Sequence, residues 1–258
     1  MKAVQWIVLA ALLTPFLPAQ ADADASATVR QRISTARPDL TIESVVPSDV
    51  AGLYEVQFAN GPLAYATADG GHFVIGDLFQ VEASGFVNLA EKKRADTRAG
   101  IMARLDTKDM IVFPAKGDTR TYVQVFTDVD CFYCQKLHRE VPALNAMGIE
   151  VRYLAYPRAG VGSDTYNRLA SAWCAKDQQA AITKLKNREQ IPTNVCPGNP
   201  VAEQYELGGR VGVTGTPALV TPTGELLPGY MPAAQLAAAL GVAPPAPPAS
   251  IAAPSVAN

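Results

Sequence analysis

One stretch constrains this chain more than any other: Phe126-Thr127-Asp128-Val129-Asp130-Cys131-Phe132-Tyr133-Cys134-Gln135-Lys136-Leu137-His138. Before it, Thr121 to Phe126 is β-branched and aromatic, the pattern of a buried strand. After it, Leu137, Val141 and Leu144 recur at helical spacing. Two cysteines separated by two residues therefore sit where a strand turns into a helix. A thiolate at a helix N-terminus faces unpaired backbone N–H groups and the positive end of the dipole. Its pKa falls, and more of it is reactive at neutral pH. The second thiol, one turn along, can resolve a mixed disulfide by intramolecular attack. The competing readings are half a zinc site and a small structural disulfide. Zinc usually takes a second closely spaced Cys/His pair, which the sequence lacks, and the strand–helix context favours redox chemistry.

The 258 residues allow one large or two small domains. At 48% hydrophobic and 18% charged, the chain can bury a core. A net charge of −2 gives no reason to expect nucleic acid or an anionic membrane as partner. Residues 1–21 read as a signal peptide: Lys2 is positive, Val4 to Leu17 is mostly apolar, and Ala19-Gln20-Ala21 fits small-x-small cleavage after Ala21. The alternative, a membrane anchor, is disfavoured by the short apolar run and the successive Ala-x-Ala frames. No later stretch of about 20 apolar residues predicts membrane insertion. The mature protein is then expected in an oxidising compartment, where disulfides persist.

Taken in order, Ser26 to Ala36 predicts a short helix capped by Ser26 or Thr28 and ended by Pro38. A strand meander follows: Leu40 to Glu43, a half-buried strand in which Tyr54, Val56 and Phe58 alternate with Glu55 and Gln57, then Pro62 to Thr67 and Phe73 to Val81. Asn60-Gly61 and Asp69-Gly70-Gly71 mark turns. So small a domain is marginal alone and leaves strand edges to cover, which pairing with a second copy would do. Glu91 to Arg104 predicts a solvated connecting helix with Gly100 as a weak point; its basic run lacks the signature of a nucleic-acid binder. From Met110 the pattern is α/β. Ile149 to Leu154 is a strand, and Pro142 should kink the helix before it. Ser163 or Asp164 caps a helix to about Lys176, and Asp177 caps the next, with Ile182 and Leu185 facing in. Gly215 to Val220 enters a strand, Thr223-Gly224 turns it, Glu225 to Leu227 returns, and Gln235 to Leu240 is a closing helix. The Ala/Pro/Ser/Val stretch 241–258 is expected to be a disordered tail.

Cys174 and Cys196 can pair with each other, cross-pair with the first two, or form a second redox centre. A structural disulfide is the preferred reading, since a Cys131–Cys134 bond leaves only that pair; closing the loop would contribute ~3 kcal/mol on the chain-entropy model. His138 lies seven residues after Cys131, about 10 Å along a helix axis, too far for proton transfer; a structural or surface role is expected, and a surface role for His72. Asp128 and Asp130 either cap the helix or oppose the thiolate by like charge. Val125, six before Cys131, stands where thioredoxin-like reductants often carry a buried acid, which points to different proton handling. The reading assigns no metal and no cofactor.

Several motifs in order resemble the DsbC/DsbG family of periplasmic thiol:disulfide interchange proteins: Phe126-Thr127-Asp128, Cys131-Phe132-Tyr133-Cys134, Lys136-Leu137-His138, Arg152-Tyr153-Leu154-Ala155, Trp173-Cys174-Ala175-Lys176-Asp177, Gly215-Thr216-Pro217-Ala218 and Pro228-Gly229-Tyr230. Asp69-Gly70-Gly71-His72 and Val87-Asn88 extend the likeness to the first domain. The resemblance implies an α+β, α/β chain. It would have a cystatin-like antiparallel N-terminal dimerisation domain (22–86), a linker helix (87–107) and a thioredoxin-like catalytic domain with a helical insertion (108–240). It implies a V-shaped homodimer whose CxxC is kept reduced by a membrane reductase of the DsbD type. By the same resemblance Thr216-Pro217 is a cis-proline loop and Cys174–Cys196 is the structural pair. Phe132 departs from the small or cyclic residue usual after the first cysteine.

The expected activity is a disulfide isomerase acting on misfolded or mis-oxidised secreted proteins. Cys131 attacks and Cys134 resolves, while Phe132, Tyr133, Thr216 and Pro217 contact substrate. The rivals are a DsbG-like reductase of oxidised single cysteines and a holdase chaperone with secondary redox activity.

Overall fold

In the computed structural model the described residues are 18–243, apart from Asn60 and Ser84. Most of the expected signal peptide and nearly all of the Ala/Pro tail lie outside them. The chain divides into two compact units between Ala90 and Glu91.

In the first unit, helix α1 (Pro18–Ala36) precedes strands β1 (Ile42–Pro47), β2 (Leu53–Phe58), β3 (Leu63–Thr67) and β4 (Phe73–Ile75), which form an antiparallel sheet in that order. Val29 and Ile33 of α1 pack with Ile42, Tyr54, Val56, Phe58, Ala64 and Ala66. The helix starts well before the expected cap. Thr28 does not cap it; its Oγ1 donates to the Asp24 carbonyl one turn back, a mid-helix arrangement. The alternation in β2 also misleads. Glu55 is buried, as is Tyr65, its neighbour across the β2–β3 ladder, so β2 is covered on both faces.

Phe73 to Val81 is two strands, not one. β5 (Phe79–Glu82) pairs with β6 (Gly85–Asn88) in a separate hairpin. Asn88 donates to the Asp77 carboxylate at 2.6 Å and Leu89 N–H to the Leu78 carbonyl at 2.8 Å. These bonds draw the chain after β4 toward β6 instead of along β3.

Helix α2 (Leu89–Met102) carries the chain across the division and runs unbroken through Gly100. It is less solvated than its charges predict. In the second unit Arg98 is buried, donating to the Val211 carbonyl at 2.8 Å and the Gly224 carbonyl at 2.5 Å, and Met102 enters the core. Gly224 has φ +80°, and a Cβ there would lie 1.9 Å from the Ala95 carbonyl oxygen. Only glycine allows this approach.

The second unit is built on a five-stranded sheet of β7 (Ile111–Phe113), β8 (Thr121–Thr127), β9 (Ile149–Ala155), β10 (Ala218–Val220) and β11 (Leu226–Pro228), ordered β11-β10-β8-β9-β7. β8 and β9 are parallel, joined through α3 (Phe132–Ala146); the other pairs are antiparallel. Pro142 lies inside α3 without ending it. Leu137, Val141 and Leu144 face the core, as their spacing predicts. Helices α4 (Asp164–Trp173), α5 (Gln178–Lys186) and α6 (Val201–Arg210) are inserted between β9 and β10, and α7 (Ala233–Ala239) closes the unit. Ser163 Oγ caps α4 and the Asp177 carboxylate caps α5, the expected residues. Helix α6 has no counterpart in the sequence reading, because Gly208-Gly209 argues against a helix. Gly208 is there for packing: a Cβ would meet the Tyr156 ring at 2.5 Å.

Candidate active site

The end of β8 and the start of α3 place Cys131 and Cys134 as the sequence predicts. Cys131 is the N-cap of α3, in extended conformation, and its carbonyl accepts from Gln135 N–H at 3.0 Å. No side chain caps this helix, so its first N–H groups are free to act on sulfur. Both cysteines are free thiols and both are buried, Cys131 at 4% exposure.

Their acidities are driven apart. Cys131 is lowered to about 5, first by hydrogen bonding with the Cys134 thiol, with contributions from Thr216, the Cys134 backbone N–H and the charge of Arg158; burial opposes them. Cys134 is raised, first by burial and then by the same hydrogen bond. The first thiol is therefore ionised at neutral pH and the second keeps its proton. The largest cause is the neighbouring thiol, not the helix dipole alone.

Thr216-Pro217 is cis, and the Thr216 carbonyl lies 3.1 Å from Cys131 Sγ. The loop before β10 thus forms the wall opposite α3. Phe132 and Tyr133 project outward at 56% and 55% exposure. Their rings meet edge-on at 5.5 Å, and Tyr133 stacks on Tyr230 at 6.5 Å. Tyr230 is held by Lys136 over its ring and by its hydroxyl donating to Glu140 at 2.6 Å. An aromatic strip therefore flanks the thiol; sequence reasoning placed Tyr230 in a motif but not in the site.

The two aspartates do neither of the things expected of them. The Asp128 carboxylate accepts from Asp130 N–H at 2.7 Å and from Arg158 N–H and Nε at 2.9 and 3.2 Å. Asp130 is bound by the Thr165 hydroxyl at 2.5 Å and by Arg168. Both charges are neutralised by arginines, so neither caps α3. His138 is buried, bonded to the Tyr153 hydroxyl at 2.9 Å and Thr183 Oγ1 at 3.0 Å. Burial, aided by the charge of Lys186, pushes it down to about 4. It is a neutral structural residue, one of the two roles expected. His72 lies in the first unit and is exposed.

Cys174, capping the end of α4, is bonded to Cys196 across 22 residues, with a Cα–Cα distance of 5.8 Å. Among the described residues no group of three or more His, Cys, Asp or Glu side chains could hold a metal ion. No helix among them is long and apolar enough to cross a membrane. One residue beneath the thiols escaped the sequence reading: Lys186, adjacent to inward-facing Leu185 and itself buried. Its charge and position in the chain gave no signal of this.

Paired thiols of split acidity, at a helix start facing a cis-proline loop, can exchange disulfides. The comparisons agree with that chemistry. Residues 107–243 match a thioredoxin-like domain, and residues 19–91 match the disulfide bond isomerase protein N-terminal domain. The thiol:disulfide interchange protein DsbC of Escherichia coli (strain K12) is 36% identical over 216 residues, spanning 83% of this chain and 85% of that protein. The protein of the same name from Salmonella typhimurium is 38% identical over 221 residues, spanning 85% and 88%. A solved disulfide interchange protein from Neisseria gonorrhoeae aligns over 53% of this chain and 96% of its own, at 30% identity and a TM-score of 0.48. With both domains matched in order and relatives aligned along most of their length, the chain belongs to the DsbC family of thiol:disulfide interchange proteins.

Proposed function

We propose that this chain is a periplasmic protein disulfide isomerase acting on mis-oxidised secreted proteins. The observation that carries the reading is the split between the two thiols: Cys131 lowered to about 5 and Cys134 raised, one helical turn apart. Cys131 is the nucleophile. It attacks a wrong substrate disulfide and forms a mixed disulfide, releasing a substrate thiolate. That thiolate then attacks elsewhere to reshuffle, or Cys134 attacks Cys131 and frees reduced substrate. Phe132, Tyr133, Thr216 and Pro217 form the substrate contacts around the sulfur, and Cys174–Cys196 is a structural bond. Residues 22–86 serve to dimerise, 87–107 to link, and 108–240 to catalyse. A membrane reductase of the DsbD type returns the pair to the dithiol.

The test is reactivation of scrambled ribonuclease. The reduced full chain should restore activity, and Cys131→Ala should lower the rate at least ~100-fold, since the remaining free thiol, Cys134, is buried and keeps its proton. A Cys131→Ala protein that still reactivates ribonuclease would overturn the assignment. A wild-type protein that only suppresses aggregation would leave a chaperone instead of an isomerase.

A further inference from the structure

Lys186, the last residue of α5, is 2% exposed. Its Nζ donates to Thr127 Oγ1 at 2.5 Å and to the Asp128 carbonyl at 2.9 Å. Both acceptors are neutral, and among the described residues Lys186 makes no ion pair. A buried ammonium in such a setting is costly unless an anion compensates it. Burial correspondingly lowers its pKa.

The groups that face it identify the anion. From the loop after β8 come Asp128 and Asp130, whose carboxylates are already held by Arg158 and by Thr165 and Arg168. From β9 comes Tyr153, with its ring centroid 5.7 Å from Nζ and its hydroxyl kept protonated by burial. From α3 come neutral His138, Cys131 and Cys134. Only the sulfurs can supply a negative charge without a cation of their own at the same depth. Cys134 is also tied to the same residue as the lysine: it is hydrogen-bonded by the Asp128 backbone, whose carbonyl Lys186 holds. Strand β8 offers no acid or base here: its buried residues are Val123, Gln124, Val125, Phe126 and Thr127, none of them charged.

We propose that Lys186 is the counter-charge of the resolving step, its ammonium stabilising the Cys134 thiolate as that sulfur attacks the mixed disulfide. The proposal rests on the isomerase reading and adds a positioning residue to it. In the step, Cys134 gives its proton to solvent water, the Lys186 ammonium staying charged, and its sulfur forms a bond to Cys131 Sγ. The bond from Cys131 Sγ to the substrate sulfur breaks. Its electron pair leaves on the substrate, which takes up a proton from water at the mouth. Cys131 and Cys134 are oxidised together and the substrate sulfur is reduced. Once Cys131 is in a mixed disulfide its own negative charge is gone, and Lys186 then faces Cys134 without a competitor.

The experiment uses the reduced full-length protein and one equivalent of dithionitrobenzoate, followed by stopped flow across pH. The first thionitrobenzoate released reports attack by Cys131. The second reports resolution by Cys134, and its rate does not depend on reagent concentration. Lys186→Met keeps an unbranched apolar stem, one atom shorter, and removes the charge. It should slow the second phase at least ~10-fold and move its pH midpoint up by about one unit, a tenfold change in thiolate fraction. The first phase should stay within about threefold, and Lys186→Arg should recover most of the lost rate. An unchanged second phase, an equal slowing of both phases, or an arginine variant as slow as the methionine variant would overturn the proposal. A wild-type protein without a fast first phase would instead sink the nucleophile assignment. If the variants do not fold, carbon NMR of Lys186 decides the matter without them. Its titration midpoint should fall by at least about half a unit in Cys131→Ala/Cys134→Ala relative to Cys131→Ala, a background in which, as in the mixed disulfide, Cys134 has no Cys131 thiolate beside it and couples to the lysine directly. No change in that midpoint would overturn the proposal.

Discussion

Cys131 and Cys134 are the same residue type, one turn apart on one helix, yet their environments give them opposite acid–base behaviour. Cys131 is lowered to about 5 by hydrogen bonding with Cys134, whereas an unfolded thiol titrates near 8.5. In the reduced protein this difference is also a stability term. The folded state favours the ionised form, so the contribution is fully present above about pH 8.5 and lost as pH falls through about 5. Cys134, raised by burial, keeps its proton in both states below about 8.5 and adds nothing in that window. His138, lowered to about 4, destabilises the folded state as pH falls below its ordinary value, but equally in both redox forms. The oxidised protein has no Cys131 proton to lose. The melting temperature of the reduced form minus that of the oxidised form should therefore rise by several degrees between pH 5 and 8. Calorimetry on both forms would check this; a flat difference would mean that the Cys131 thiol is not shifted.

The catalytic elements were legible because their signals are local. The β-branched run of β8, the helical spacing of Leu137, Val141 and Leu144, and the caps Ser163 and Asp177 are each written within a few residues. Elements that depend on distant neighbours were read less well. Helix α6 contains Gly208 because the Tyr156 ring needs that space, not because the chain turns there. Helix α2 looks solvated until Arg98 finds the Val211 and Gly224 carbonyls. The contact between α2 and the turn from β10 to β11 yields a direct test. Gly224→Ala sets a methyl group against the Ala95 carbonyl and places alanine at φ +80°. It should destabilise the protein by about 2 kcal/mol or more, from overpacking plus left-handed strain. Urea unfolding would register this as a lower midpoint, and an unchanged midpoint would refute the close packing.

For the molecule as a whole, the second unit has its own core, formed around the five-stranded sheet. The first unit leaves Phe73, Val74 and Ile75 of β4 exposed, with Phe79, Val81 and Phe86 of the hairpin also open. An edge strand of this kind invites pairing with a second copy. Removing residues 22–90 should therefore turn a dimer into a monomer. It should abolish ribonuclease isomerisation and leave simple reduction of a small disulfide within about threefold, since the thiols keep their surroundings. Light scattering beside the two assays would test all three expectations. A monomeric full-length protein, or a truncated one with undiminished isomerisation, would refute the role given to the first unit.

The sequence by itself determined where the chemistry sits and what it is, because a CxxC between a strand and a helix is a local pattern with few alternatives. It also marked Thr216-Pro217, Cys174 and Cys196: the cis geometry came only by resemblance, whereas the pairing of the two cysteines also followed once Cys131 was taken to pair with Cys134. Tertiary structure decided the rest. The Cys131 sulfur meets Thr216 across 85 residues, and Lys186 reaches the Asp128 carbonyl across 58. Which aspartate is neutralised by which arginine depends on the arrangement of β8 and the inserted helices. Acidity follows burial and neighbouring charge, and both belong to the packed chain. A lysine beside an inward-facing leucine looks like surface in the sequence; enclosure beneath two thiols makes it a charge awaiting an anion.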